Sequence, residues 1–206
     1  MNNKAMYALS YGLFVLCARR GEKDNGCITN TAIQVTTTPN RIVVAINKDN
    51  YTHDMVRESG RFTLSVLSEE AKFDLFQRFG FQSGRDVDKF AGFEGHTARD
   101  GAGVRYVTLG TSAWLSCRVV SATDLGTHTL FLADVEDGDV LSQAPSATYS
   151  YYQAHIKPRP AAAPAQGSKR RWVCKVCGYV YEGEELPADF ICPICKHPAS
   201  DFELLE

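Results

Sequence analysis

Apolar and polar positions alternate in short runs along most of the chain. Leu13–Ala18, Ile33–Thr36, Arg41–Asn47, Phe62–Leu67, Arg105–Leu109, Trp114–Ala122 and Thr129–Val135 are mostly rich in Val, Ile, Thr and aromatics, and Gly, Asn, Asp or Pro bound them. That pattern predicts strands. Two stretches carry a helical period instead. One runs from about Thr52 to Ser59. The other spans Glu69 to Phe79, with Ser68 as its expected N-cap and Phe73, Phe76 and Phe79 spaced for one buried face. Many strands and few helices predict a mainly β domain closed into a barrel. No GxGxxG follows a first strand, and neither a Walker sequence nor HExxH occurs, so no Rossmann-type nucleotide site is expected.

The pattern breaks at PRPAAAPAQGS, a Pro/Ala-rich stretch with no residue to anchor a core. We therefore expect a large domain over 1–157, a linker over 158–170 and a small domain over 171–206. The 206 residues are 44% hydrophobic, enough for one full domain and a small one. A net charge of −2 suggests no nucleic-acid surface, and no apolar run is long enough for a transmembrane helix. The short apolar stretch near the start leads into basic CARRG rather than a small-residue cleavage site, which points to the cytoplasm. Charge is uneven, however. Residues 172–206 carry two lysines against seven carboxylates, a net −5 that suits steering toward a basic partner.

Cysteine usage agrees with a reducing compartment. The count is seven, with Cys17, Cys27 and Cys117 as singletons in apolar or strand-like runs, expected as buried thiols. Cys174-x2-Cys177 and Cys192-x2-Cys195, separated by 14 residues, supply four soft thiolates. A tetrahedral S4 set suits a single iron or zinc, and spacing alone leaves both open. Gly178 follows the first pair and Pro193 lies within the second. Trp172, Tyr179, Tyr181, Phe190 and Phe202 crowd aromatics around them. So small a unit must build its core from metal and aromatics together.

WVCKVCGYVYEGEE and ICPICKHPASDFE resemble rubredoxin, the mononuclear iron electron carrier, over residues 172–203. The resemblance implies iron on Cys174, Cys177, Cys192 and Cys195. Two features depart from free-standing rubredoxins: a shorter segment between the knuckles, nearer to the rubredoxin tail of rubrerythrins, and Lys196 where glycine is usual. Upstream, GCITNTAIQVTTTP, RIVVAINKDNYTHDMVRESGRFTLSVL, SGRDVDKF and GTHTLFLADVEDGDVL resemble the flavin reductase-like, FMN-binding split-barrel family from about Ala5 to Gln153.

That second resemblance implies FMN, with Cys27, Thr29, Asn30, Thr31, Asn47, Lys48, Asn50, Tyr51, Thr52 and Lys89 as binding residues. Thr29, Asn30 and Thr31 offer hydroxyls and an amide between strands. Asn50-Tyr51-Thr52 opens a helix beside Lys48, a ready phosphate site. Lys89 is a candidate second charge on that phosphate, and His53 is expected on the helix surface. His128 matches a family histidine near the flavin and nicotinamide face, which makes it the candidate catalytic residue.

The two resemblances together imply an NAD(P)H:rubredoxin/flavin oxidoreductase. Hydride brings two electrons at once, one iron accepts one, and a flavin converts between them. The arrangement resembles the high-molecular-weight rubredoxins of anaerobes, which implies a flavodiiron O2/NO reductase or another terminal reductase as acceptor. It also implies NADH or NADPH as donor and a homodimer. Two other readings compete: a reductase that releases reduced FMN to a monooxygenase, and a zinc-ribbon interaction module on a flavin-binding sensor.

Overall fold

A computed structural model describes residues 5, 8–158, 170–175, 179–192 and 197–205. The chain divides into two compact units, 1–153 and 154–206. Among the described residues no helix is long and apolar enough to cross a membrane.

The first unit is one antiparallel sheet of seven strands. The strands are β1 (Phe14–Arg20), β2 (Lys23–Thr29), β3 (Ile33–Thr37), β4 (Asn40–Asn47), β5 (Arg61–Leu67), β8 (Thr111–Asp124) and β9 (His128–Val140), with a side hairpin of β6 (Thr97–Arg99) and β7 (Arg105–Val107). Their order across the sheet is β2-β1-β5-β8-β9-β4-β3. Register shifts at Ser116/Cys117 and Val119/Ser121 put bulges into the β8–β9 pair, and bulges bend a sheet. Alternation sets the inner face: along β4, Ile42, Val44 and Ile46 are buried while Val43 and Ala45 are only half-buried. They join Leu16, Phe62, Leu64 and Phe131 in one core, into which helix α1 (Tyr51–Ser59) sets Met55 and Val56.

Every predicted strand is present, but β2 escaped the pattern. KDNGCIT reads as a polar turn with a glycine, yet Asn25, Gly26 and Cys27 are buried. A Cβ on Gly26 would meet the Phe79 ring at 3.0 Å and the Cys17 sulfur at 3.1 Å, so a side chain there would push both neighbours aside by a few tenths of an ångström. Helix boundaries differ as well. α1 begins at Tyr51 behind Asn50 and stops at Gly60, whose φ of 66° is left-handed backbone that glycine adopts without steric penalty. The second helix, α2, starts only at Phe73 and runs to Gly80, with Lys72 at its N-cap. Ser68 caps a preceding turn instead: its Oγ accepts the Glu70 N–H and its carbonyl accepts the Ala71 N–H. Leu75, Phe76 and Phe79 are the buried side of α2.

The second unit contains a three-stranded antiparallel sheet in the order β11-β10-β12, formed by β10 (Arg170–Cys174), β11 (Val180–Gly183) and β12 (Phe202–Leu205). The Phe190 ring meets Tyr181 at 4.7 Å, Phe202 at 5.3 Å and Tyr179 at 6.4 Å between centroids, the aromatic cluster expected of so small a unit.

Candidate functional site

The barrel's open seam lies where β2 runs out beside β4. Beyond Val43 the outer edge of β4 has left its partner β3, so Ala45 presents unpaired backbone groups. Threonine hydroxyls meet them. Thr31 Oγ1 donates to the Ala45 carbonyl at 2.9 Å and accepts its N–H at 3.3 Å, while Thr29 Oγ1 reaches the same carbonyl at 3.4 Å. Asn30, half-buried, stands between them. Two residues further along β4, Asn47 is directly opposite His128, and Lys48 donates its N–H to Thr127. The structure thus gathers Thr29, Asn30, Thr31, Asn47, Lys48 and His128 around one end of β4. His128 is half-buried, with Nδ1 2.9 Å from Thr127 Oγ1.

Other expected flavin residues are engaged differently. The Lys48 ammonium is clamped on Asp124 at 2.6 and 2.7 Å, and this bond holds the Asp124 carboxyl below its ordinary range. Asn50 is the N-cap by backbone only, without a side-chain bond to the helix. Thr52 is 0% exposed, and its hydroxyl accepts from Asn25 Nδ2 at 2.9 Å, so it faces the interior. Lys89 is 4% exposed, and its ammonium donates to the carbonyls of Gly26 (2.9 Å) and Phe79 (3.1 Å) instead of standing at the helix start. Burial lowers its pKa.

His53 corrects the surface expectation outright. It is 3% exposed, with Nε2 2.9 Å from Thr129 Oγ1, Nδ1 3.2 Å from Asp54 and its ring edge-on to Phe131. Thr52 turns to Asn25 of β2 while His53 turns to Thr129 and Phe131 of β9, a burial the short helical pattern did not reveal. Cys27 belongs to the core cluster. All three singletons are buried free thiols, as expected. Burial raises Cys17 and Cys27 and pushes Cys117 up to about 12, so none is a nucleophile near neutrality.

Sequence reading missed the charge gathered on Tyr51. Arg20 from β1, Lys23 from β2 and Arg85 from the segment after α2 lie 5.3, 4.8 and 4.9 Å from the centre of its ring. Arg20 also donates to the phenol oxygen at 2.7 Å. Arg20 and Lys23 flank one turn, but Tyr51 and Arg85 lie far from them in sequence, and no motif joins the four.

In the second unit the two knuckles close alike. The Cys174 N–H donates to the Tyr179 carbonyl and the Cys192 N–H to the His197 carbonyl, both at 2.8 Å and both five residues ahead. Both thiols are wholly buried. The same closing backbone bond beside two buried soft donors fits a thiolate-bound metal. Cys177 and Cys195, the other two expected ligands, lie outside the described residues, as do Gly178, Pro193 and Lys196.

The pattern for a flavin reductase like domain matches residues 6–159. The chain belongs to the flavin reductase-like family. The pattern for a rubrerythrin, rubredoxin-like domain matches residues 172–203. A high molecular weight rubredoxin from Moorella thermoacetica is 35% identical, over 98% of this chain and 99% of that protein. A ferric-chelate reductase (NAD(P)H) from Archaeoglobus fulgidus is 40% identical, over 74% of this chain and 89% of its own. The FMN-binding protein of Thermus thermophilus superposes with a TM-score of 0.60 at 21% identity, over 88% of this chain and 92% of that one, a likeness of fold.

As a flavin reductase-like barrel fused to a rubredoxin-like domain, this protein is an oxidoreductase of flavin-linked electron transfer. The seam residues fit a flavin's polar edge chemically. They present hydroxyl, amide and imidazole groups at strand ends, where a ring can be approached from the backbone.

Proposed function

We propose that the protein takes hydride from NAD(P)H onto FMN held in the barrel and delivers single electrons to an iron bound by Cys174, Cys177, Cys192 and Cys195. From there they pass to a terminal acceptor such as a flavodiiron O2/NO reductase. The observation that carries this reading is the pairing, on one chain, of a polar strand-end site in a flavin reductase-like barrel with two matched thiolate knuckles.

Bound FMN supplies the conversion between two-electron and one-electron steps. The chain does the rest. Thr29, Asn30, Thr31 and Asn47 orient the ring edge, and the Lys48 ammonium, exchanging Asp124 for the ligand, meets the phosphate beside the start of α1. His128 positions the nicotinamide or a proton next to the ring. Cys174 and Cys192, wholly buried, would hold the iron with Cys177 and Cys195 away from water. Exposed Ile191, next to Cys192, and the excess of carboxylates along residues 172–206 suit an acceptor that is partly apolar and basic.

A second copy completes this reading. The edge strand β3 is exposed along its length, with Ile33 63% and Val35 47% exposed, and an uncovered apolar edge favours pairing. Light scattering should give a dimer mass.

Anaerobic stopped-flow mixing with NADH and with NADPH tests the whole. Flavin bleaching should precede loss of the visible thiolate-to-iron band. A colourless, zinc-filled second unit, or an iron band that bleaches without any change at the flavin, would overturn it.

A further inference from the structure

The hairpin between β8 and β9 ends beside Lys48, and its tip holds one carboxylate in a fixed place. Gly126 turns the chain with a φ of 87°, left-handed backbone that favours glycine. The Leu125 N–H donates to the His128 carbonyl at 2.8 Å, and the Lys48 N–H ties the tip to β4 through the Thr127 carbonyl at 3.0 Å. Within that turn Asp124 Oδ1 accepts the Gly126 N–H at 2.7 Å, and both its oxygens meet the Lys48 ammonium, at 2.6 and 2.7 Å. Asp124 thus sits on the lysine that the proposed flavin site gives to the phosphate.

Exposure makes that pair exchangeable. The Asp124 side chain is 71% exposed and that of Lys48 32%. An ion pair so open to water gains little over its hydrated charges. A phosphomonoester carries about two negative charges against one on the carboxylate, and draws an ammonium more strongly. The exchange needs no backbone movement either. The N–H bonds of Gly126, Leu125 and Lys48 that fix the tip do not involve the Lys48 ammonium, so only side chains have to turn.

A second cation stands ready for the displaced carboxylate. Arg57, exposed in the last turn of α1, forms no ion pair among the described residues. The Lys48 bond and the Gly126 N–H chiefly hold the Asp124 carboxyl below its ordinary range, and the charge of Arg57 adds to them. Arg57 is therefore within electrostatic reach of Asp124. A carboxylate left on Lys48 would repel an incoming phosphate, whereas one turned toward Arg57 would not oppose it there.

We propose that Asp124 sets the strength of the phosphate contact: its carboxylate competes with the flavin phosphate for Lys48 and, once displaced, pairs with Arg57. This rests on the reading above that Lys48 meets the phosphate. A flavin without phosphate leaves the Lys48–Asp124 pair intact, so the competition acts on FMN and not on riboflavin.

Calorimetry of the flavin-free full chain with FMN and with riboflavin tests the competition. Asp124→Asn loses the charge but keeps an acceptor for the Gly126 N–H. It should tighten FMN about fivefold, the upper worth of an exposed ion pair, and leave riboflavin unchanged. High salt should shrink that gain. Asp124→Glu restores the charge and should bind FMN within about twofold of the parent chain. Arg57→Gln should weaken FMN about twofold in the parent chain and not in Asp124→Asn, because its effect passes through Asp124. Unaltered or weaker FMN binding in Asp124→Asn would overturn the proposal, as would riboflavin tightening in step with FMN, the mark of a rearranged tip. Equal weakening by Arg57→Gln in both backgrounds would overturn the transfer to Arg57. Lys48→Ala distinguishes the two levels of failure. Weaker FMN in Lys48→Ala with no gain in Asp124→Asn ends the competition and keeps the phosphate on Lys48. No change in either variant ends both.

Discussion

The two units solve stability in opposite ways. The barrel draws its core from nearly every strand, with Leu16, Val44, Ile46, Phe62 and Phe131 almost wholly removed from water and α1 packed across them. The rubredoxin-like unit has strands of only four or five residues, one aromatic cluster and two buried thiols as its interior. Apolar burial scales with size, so a unit this small leans on its metal for folding free energy, whereas the barrel does not. The chemistry divides along the same line. The barrel's candidate site lies at strand ends, and the small unit's candidate thiolates are part of its own core.

The strongest way to break this contrast is at a thiolate. Cys192→Ser should abolish the visible iron band and all acceptor reduction, while hydride transfer to FMN stays within about twofold, since the barrel has a hydrophobic core of its own. Collapse of hydride transfer would show that the units are not separable relays. The converse lesion is Phe131→Ala, which should cost the barrel about 3–5 kcal/mol by removing a buried ring from its core. Calorimetry should show the barrel transition moving down with the iron band still present. A band lost together with the barrel would mean that the small unit borrows its stability.

Smaller effects sharpen the comparison within the barrel. Lys48→Ala should weaken FMN about tenfold and leave riboflavin affinity alone, as expected for one charge-assisted phosphate contact. Equal affinity of the variant for FMN would move the phosphate elsewhere. The least effect is that of acid. Bonds from Arg41 to Asp134, and from Arg118 and Arg61 to Glu136, hold both carboxyls below their ordinary values in the folded barrel. A lowered folded pKa gives stability that is complete above the unfolded value of about 4 and fades as pH falls through the folded one. The melting temperature should therefore decline below about pH 4, and Asp134→Asn should flatten that decline. An unchanged acid slope in the variant would remove the network from the barrel's pH dependence.

Much of this was legible in the chain. Period-two burial announced β4, and the paired CxxC motifs with their aromatics announced the metal unit, because both depend on neighbours in sequence. Legibility failed where distance intervened. β2 looked polar because the partners that bury it, Phe79 and Cys17, come from α2 and β1. Lys89 looked like a phosphate ligand because nothing nearby announces that the carbonyls of Gly26 and Phe79 will take its ammonium. His53 looked exposed because its partner, Thr129, lies 76 residues away.

By itself, then, the sequence determined the two-part design, the barrel class and the rubredoxin-like character of the tail, since periodicity and cysteine spacing are local properties. The tertiary structure decided which polar groups remain available to a ligand. It buried Thr52 and Lys89, left the seam residues at the end of β4, and brought Arg20, Lys23 and Arg85 onto Tyr51. A side chain's availability depends on what folds against it, and strand order, which no short stretch encodes, decides that.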